Sequence, residues 1–125
     1  MSFIASQIVT KGIDSIDYSM ISQDLRKKVF TEAGELFIKN GKSLEGIKSL
    51  IIAENIKLLK EYSIYFTEKG LFELAILCAI NIKDKKLVAD LAPLCLEKGA
   101  CNEAIKGYEF LNEKEICSLI KENFI

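Results

Sequence analysis

Histidine and tryptophan are absent from this chain of 125 residues. Without histidine it lacks the side chain whose ordinary pKa best suits acid–base work near neutral pH, and a common zinc ligand with it. Cys78, Cys95, Cys101 and Cys117 form no Cys-x-x-Cys pair and no zinc-like spacing. No glycine-rich phosphate loop, nucleophile elbow or paired-carboxylate motif occurs, and Glu113 and Glu115 point apart on a helix. Catalysis, a metal site and a cofactor are therefore not expected. An activated thiol is the remaining catalytic route. Cys95 and Cys117 read as packing residues in apolar positions, whereas Cys101, beside a helix N-terminus, is the candidate for a lowered pKa.

Neither sign of charge is in excess: 17 basic side chains face 18 acidic ones, for a formal net charge of −1. The longest basic run is Arg26-Lys27-Lys28, and Asp84 interrupts Lys83, Lys85 and Lys86. Nucleic-acid binding draws on a net basic patch that displaces counterions from phosphates. Here nearly every basic residue has an acid within one helical turn, so no nucleic-acid partner is expected. Long apolar runs are missing too; none approaches the roughly 18 residues that span a bilayer, and membrane insertion is not expected. Residues Met1 to Lys11 have no basic start and only a short apolar stretch, and no Asn-x-Ser/Thr acceptor occurs. A secretory leader is not expected, and a reducing cytoplasmic setting is.

Half of the residues are apolar and 28% are charged, the mix of a soluble globular domain, here a single one over residues 1–125. Glycine is scarce, yet Gly12, Gly41, Gly70 and Gly99 stand 29 residues apart. Neighbouring columns keep the same step. Seven residues before the glycines are the small residues Ala5, Gly34, Ser63 and Ala92, and four before them are Ile8, Phe37, Phe66 and Cys95. Five after the last three come Gly46, Ala75 and Ala104, each followed by isoleucine at Ile47, Ile76 and Ile105. Seventeen after the four glycines stand Val29, Leu58, Leu87 and Ile116.

The physics of this unit is a helical hairpin. A glycine after an apolar-periodic stretch supplies the left-handed residue that ends a helix, and small residues in fixed columns let two helix backbones approach. Large apolar columns fill the space beside them. Asn55, Asp84 and Asn112, at or beside one position of the repeat, suit the N-caps of following helices, and Asn112 with Glu115 has capping-box spacing. The patterns predict helices over about 2–11, 14–22, 24–40, 43–54, 56–69, 71–82, 85–98, 101–111 and 113–123. Pro93 falls inside one of them; it removes a hydrogen bond to the Ala89 carbonyl, and either kinks that helix or marks a restart. No strand is expected.

The phrase Glu68-Lys69-Gly70-Leu71-Phe72-Glu73-Leu74-Ala75-Ile76 resembles the turn and second-helix start of a tetratricopeptide repeat, and Glu97-Lys98-Gly99-Ala100-Cys101-Asn102-Glu103-Ala104-Ile105 resembles it more closely. The pattern's small residue seven before the glycine is matched by Gly34, Ser63 and Ala92, and its aromatic four after the alanine by Tyr108, with Leu50 and Ala79 in the other units. The unit is shorter than a tetratricopeptide repeat and lacks its closing proline. In this it looks more like the hairpins of clathrin heavy chain, coatomer and intraflagellar-transport solenoids. The likeness covers about 24–123 well and 1–23 weakly, where Asp17 takes the place of a small residue. It implies an all-α fold, a right-handed α-α superhelix of about four hairpins with the last helix as cap, and a protein–protein interaction scaffold.

By the same likeness, Ile38, Ile64 and Leu96 lie on first-helix positions that face an inner groove, and a floor of this kind suits an amphipathic helix or extended peptide. Lys28, Lys57 and Lys86 share another groove column, with Glu32, Glu61 and Asp90 four residues on. They form either a clamp for a partner's C-terminal carboxylate or acidic tail, or a row of exposed ion pairs worth about 0.3 kcal/mol each. The expected function is a non-enzymatic adaptor that binds a partner protein or peptide, one form of it a small chaperone for a secreted or assembling partner. The alternative is a structural subunit that assembles through its terminal helices, as a homo-oligomer or in a larger complex.

Overall fold

The computed structural model describes residues 3–125, and all regular structure among them is helical. Helix α1 (Phe3–Lys11) is followed by two short 3-10 turns, Ile13–Ser15 and Tyr18–Met20, and then by α2 (Gln23–Lys39), α3 (Ser43–Ile52), α4 (Ile56–Glu68), α5 (Phe72–Asn81), α6 (Lys85–Glu97), α7 (Cys101–Phe110) and α8 (Lys114–Phe124). The chain forms two compact units, Met1–Leu59 and Lys60–Ile125, with the boundary inside α4.

Glycine punctuates the helices as the spacing predicts. Gly12, Gly41, Gly70 and Gly99 have φ of 103°, 85°, 74° and 83°. After α2 the Gly41 and Lys42 amides donate to the Ile38 and Phe37 carbonyls, at 3.1 and 2.8 Å. The same paired bonds close α4, from Gly70 to Thr67 and Leu71 to Phe66, and α6, from Gly99 to Leu96 and Ala100 to Cys95. Each pair satisfies carbonyls that the end of a helix would leave open.

A second left-handed series closes the alternate helices without glycine. Glu54, Lys83 and Asn112 have φ of 55°, 56° and 61°, and they too are 29 residues apart. Their amides donate to Ile51, Ile80 and Glu109. This register corrects one expectation. Asn55 and Asp84 accept from the Leu58 and Leu87 amides at 3.1 and 3.0 Å, as N-caps should, but Asn112 does not cap α8. It occupies the left-handed turn, the N-cap is Glu113, and no side-chain cap bond forms there. The capping column is 55, 84 and 113, one residue after the turn column.

In the first unit α1 and α3 both pack on α2. Ala5, Ile8, Val29, Phe30, Ala33, Phe37 and Ala53 form its core, with Ile13 and Ile16 against them. Burying Phe30 and Phe37 contributes about 2–3 kcal/mol each by area. The helix expected over 14–22 does not form. Gly12 ends α1, the Asp17 carboxylate accepts from the Ser19 amide at 3.1 Å, and Ser22 caps α2 by accepting from Leu25 at 3.3 Å. Short polar side chains that bond nearby backbone favour turns over helix. Tyr18, in the second turn, meets the Phe30 ring edge-on at 5.6 Å.

In the second unit α6 packs on α5 and α7, and α8 on α7. Phe66, Ile76, Cys78, Val88, Leu91, Cys95, Ile105 and Ile120 are among the buried side chains. Small residues sit where helices come closest. Ser63 of α4 donates its hydroxyl to the Ala75 carbonyl of α5 at 2.9 Å, and a Cβ placed on Gly107 would lie 2.9 Å from that of Ala92. In the first unit Gly34 and Gly46 make the equivalent approach between α2 and α3. Of the filler column Val29, Leu58, Leu87 and Ile116, only Val29 is buried; the buried column lies one residue on, at Phe30, Leu59, Val88 and Cys117. That column was off by one residue, about 100° around the helix, whereas the column Ile8, Phe37, Phe66 and Cys95 and the isoleucines Ile47, Ile76 and Ile105 are buried as the periodicity expects. Pro93 does not restart α6, which runs through it. Ala89 and Pro93 are both exposed, so water can reach the carbonyl that the ring leaves unpaired.

Candidate functional site

The second unit carries an apolar hollow of about 170 Å³ on the faces of α4 and α6. Helix α4 supplies Ile64, Thr67 and Glu68, and α6 supplies Leu87, Asp90, Leu91 and Leu94. The helical period explains both sets: positions 64, 67 and 68 share one face, as do 87, 90, 91 and 94. Ile64 stays 46% exposed and Leu91 only 3%, so leucine forms the floor and isoleucine one wall. The Thr67 hydroxyl donates to the Ser63 carbonyl at 2.7 Å, which satisfies it inside α4. Glu68 and Asp90 are its charged lining residues.

A polar hollow of about 210 Å³ adjoins it, sharing Leu87 and Asp90 and adding Lys60, Asp84 and Lys86. The Lys60 ammonium pairs with the Asp84 carboxylate at 3.6 Å. The Leu87 amide first, and Lys60 after it, hold the Asp84 carboxyl below the ordinary carboxylate range. A third hollow, about 290 Å³, lies on α7 and α8 between Glu109, Asn112, Lys114, Ser118 and Lys121, with buried Cys117 at its base. It is larger, but its lining residues other than Cys117 are polar and its charges are of mixed sign.

Of the residues expected to line a groove, Ile64 is in the apolar hollow and Lys86 in the adjoining one. Leu96 is half-buried on α6 and does not line either. Ile38 belongs to the first unit, and its side chain lies against Gly46 of α3. Lys28 and Lys57 are exposed on α2 and the first turn of α4. Leu87, Leu91 and Leu94 were missed as surface candidates. Their i, i+4, i+7 stripe was legible, but the repeat assigned Leu87 to the interior.

The thiols are free. Burial pushes Cys78 up to about 12, and burial with the nearby Glu103 carboxylate pushes Cys95 up to about 11, so both stay protonated at neutral pH. Buried Cys117 contacts the Ile105 carbonyl at 3.8 Å. Cys101, the first residue of α7, is partly exposed. Among the described residues no helix is long and apolar enough to cross a membrane.

No protein-family model, curated protein or solved structure matches this chain.

Proposed function

We propose that the protein is a non-enzymatic interaction scaffold of stacked helical hairpins, of the tetratricopeptide-like kind, and that it holds an amphipathic helix or extended peptide of a partner protein. The observation that carries this reading is the surface hollow with an apolar floor. Ile64, Leu87, Leu91 and Leu94 converge on about 170 Å³ of open space. An apolar cavity of about 150 Å³ takes a benzene ring, so this one has room for one large side chain. A pocket that seats one anchor residue is how many protein–peptide contacts draw most of their affinity.

Selecting displayed 12-residue peptides against the pure protein tests the reading. It expects a consensus whose binding is lost in Ile64→Asp and kept in Met20→Asp, a change at a residue 83% exposed in the other unit. Ile64 is also exposed enough for its variant to fold, which far-UV circular dichroism would verify. Absence of any consensus, or equal binding by Ile64→Asp, would refute it.

A structural subunit that assembles through α8 is the second reading. Leu119, Phe124 and Ile125 are 57%, 61% and 69% exposed there. Light scattering that shows a concentration-dependent oligomer, dispersed by Leu119→Lys, would favour assembly over peptide capture.

A further inference from the structure

The α4–α6 hollow combines an apolar floor with charged lining residues that are all acidic. Its charged lining residues are Glu68 and Asp90, and no basic residue lines it. The lysines nearby are placed elsewhere. Lys69, next to Glu68 in sequence, holds its ammonium over the Tyr65 ring at 5.6 Å. Lys60 pairs with Asp84. Lys86 lines the adjoining polar hollow together with Leu87 and Asp90. Among the described residues neither the Glu68 nor the Asp90 carboxylate is hydrogen-bonded or ion-paired. Two acidic residues lining an otherwise apolar seat favour a cation on the partner and disfavour an anion.

Resting on the scaffold reading above, we infer that the occupant is a partner-protein segment with one large apolar anchor, leucine- or phenylalanine-sized, flanked by arginine or lysine that meets Glu68 and Asp90. The anchor fills the space between Ile64 and the three leucines, and the flanking cations lie beside the two carboxylates. Charge there selects the partner, while the floor supplies most of the affinity.

Three synthetic nonapeptides test this on the full chain. They are acetylated and amidated, with a central phenylalanine and flanking pairs of arginine, glutamine or glutamate. Binding is followed by shifts of the Ile64, Leu87, Leu91 and Leu94 methyl resonances. At low salt the arginine peptide should bind about 5-fold more tightly than the glutamine peptide, and the glutamate peptide most weakly. The preference should shrink toward equality at about 0.5 M salt and disappear in Glu68→Gln/Asp90→Asn. If all three bind alike, or the glutamate peptide binds best, the inference about charge is overturned and the apolar site stands. If none shifts those methyls, the site itself is refuted along with it.

Discussion

Gly46→Ala is the sharpest test of how the first unit is built. Added to Gly46, a Cβ would collide with Cγ1 of Ile38 and lie 2.7 Å from the Gly34 carbonyl oxygen and 3.1 Å from Cδ1 of Ile38. Alanine in a helix interior is worth about 1 kcal/mol over glycine, so on an open helix face the change would stabilise. Overpacking a closed contact costs about 1–3 kcal/mol. One obstacle here is backbone, which cannot rotate away, so the upper half of that range applies and the net loss is about 1–2 kcal/mol. For a chain of this length that lowers the midpoint of thermal unfolding by about 3–8 °C. Ile38→Ala removes the side-chain obstacles and leaves only the Gly34 oxygen. In a double-mutant cycle the two changes should therefore couple favourably, by about 0.5–1 kcal/mol. Urea and thermal unfolding followed by circular dichroism would measure all four proteins. A Gly46→Ala variant as stable as the parent, or more so, would refute the close approach of α2 and α3. It would also release Ile38 from its place against α3.

Other consequences are open to measurement. Lys83 holds φ of 56° with a side chain that disfavours it, so Lys83→Gly should raise stability by about 0.5–1 kcal/mol, and Asn112→Gly by less because asparagine tolerates that region; thermal melts showing a loss for Lys83→Gly would contradict this. The Asp84 carboxyl should titrate below its ordinary value of 3.8 in a carboxyl-resonance experiment, and Lys60→Met should restore only part of the difference because the Leu87 amide remains. The folded pKa is depressed, so the associated stability is present above the unfolded value and is lost as pH falls through the folded one; Asp84→Asn should flatten that part of the acid limb. At neutral pH a thiol reagent should modify Cys101 first and leave Cys78, Cys95 and Cys117 protected in the native state. Rapid reaction of three or four thiols would overturn that order.

The glycine spacing carried much information because its cause is local. A left-handed residue is needed wherever a helix closes with paired amide bonds to its last carbonyls, and glycine meets that need without strain. The helices α2 to α8 could therefore be placed from sequence to within a few residues. The ends of α3, α5 and α7 were placed as well, but the left-handed residues that close them were not seen, for the same reason: Glu54, Lys83 and Asn112 share no chemistry that announces a positive φ. Around residues 13–22 the apolar residues suggested a helix, but the competing bonds of Asp17 and Ser22, with Ile13 and Ile16 held against the core, decided for turns.

Sequence by itself determined the helical class, most helix ends and the burial of Cys95 and Cys117. These follow from local bonding, composition and a period set by helix geometry. Tertiary structure alone decided which residues at the edge of each buried face stay exposed. A one-residue change of column turns a side chain by about 100°, enough to move Leu87 from the expected interior to the wall of a surface hollow and to leave Leu96 out of it. Ile38 and Ile64 show the same limit. Both were expected on the groove face, yet one lies against a glycine on a neighbouring helix and the other stands 46% exposed beside three leucines. Close packing depends on what the neighbouring helix presents, and that information is not contained in either residue's own surroundings in the chain.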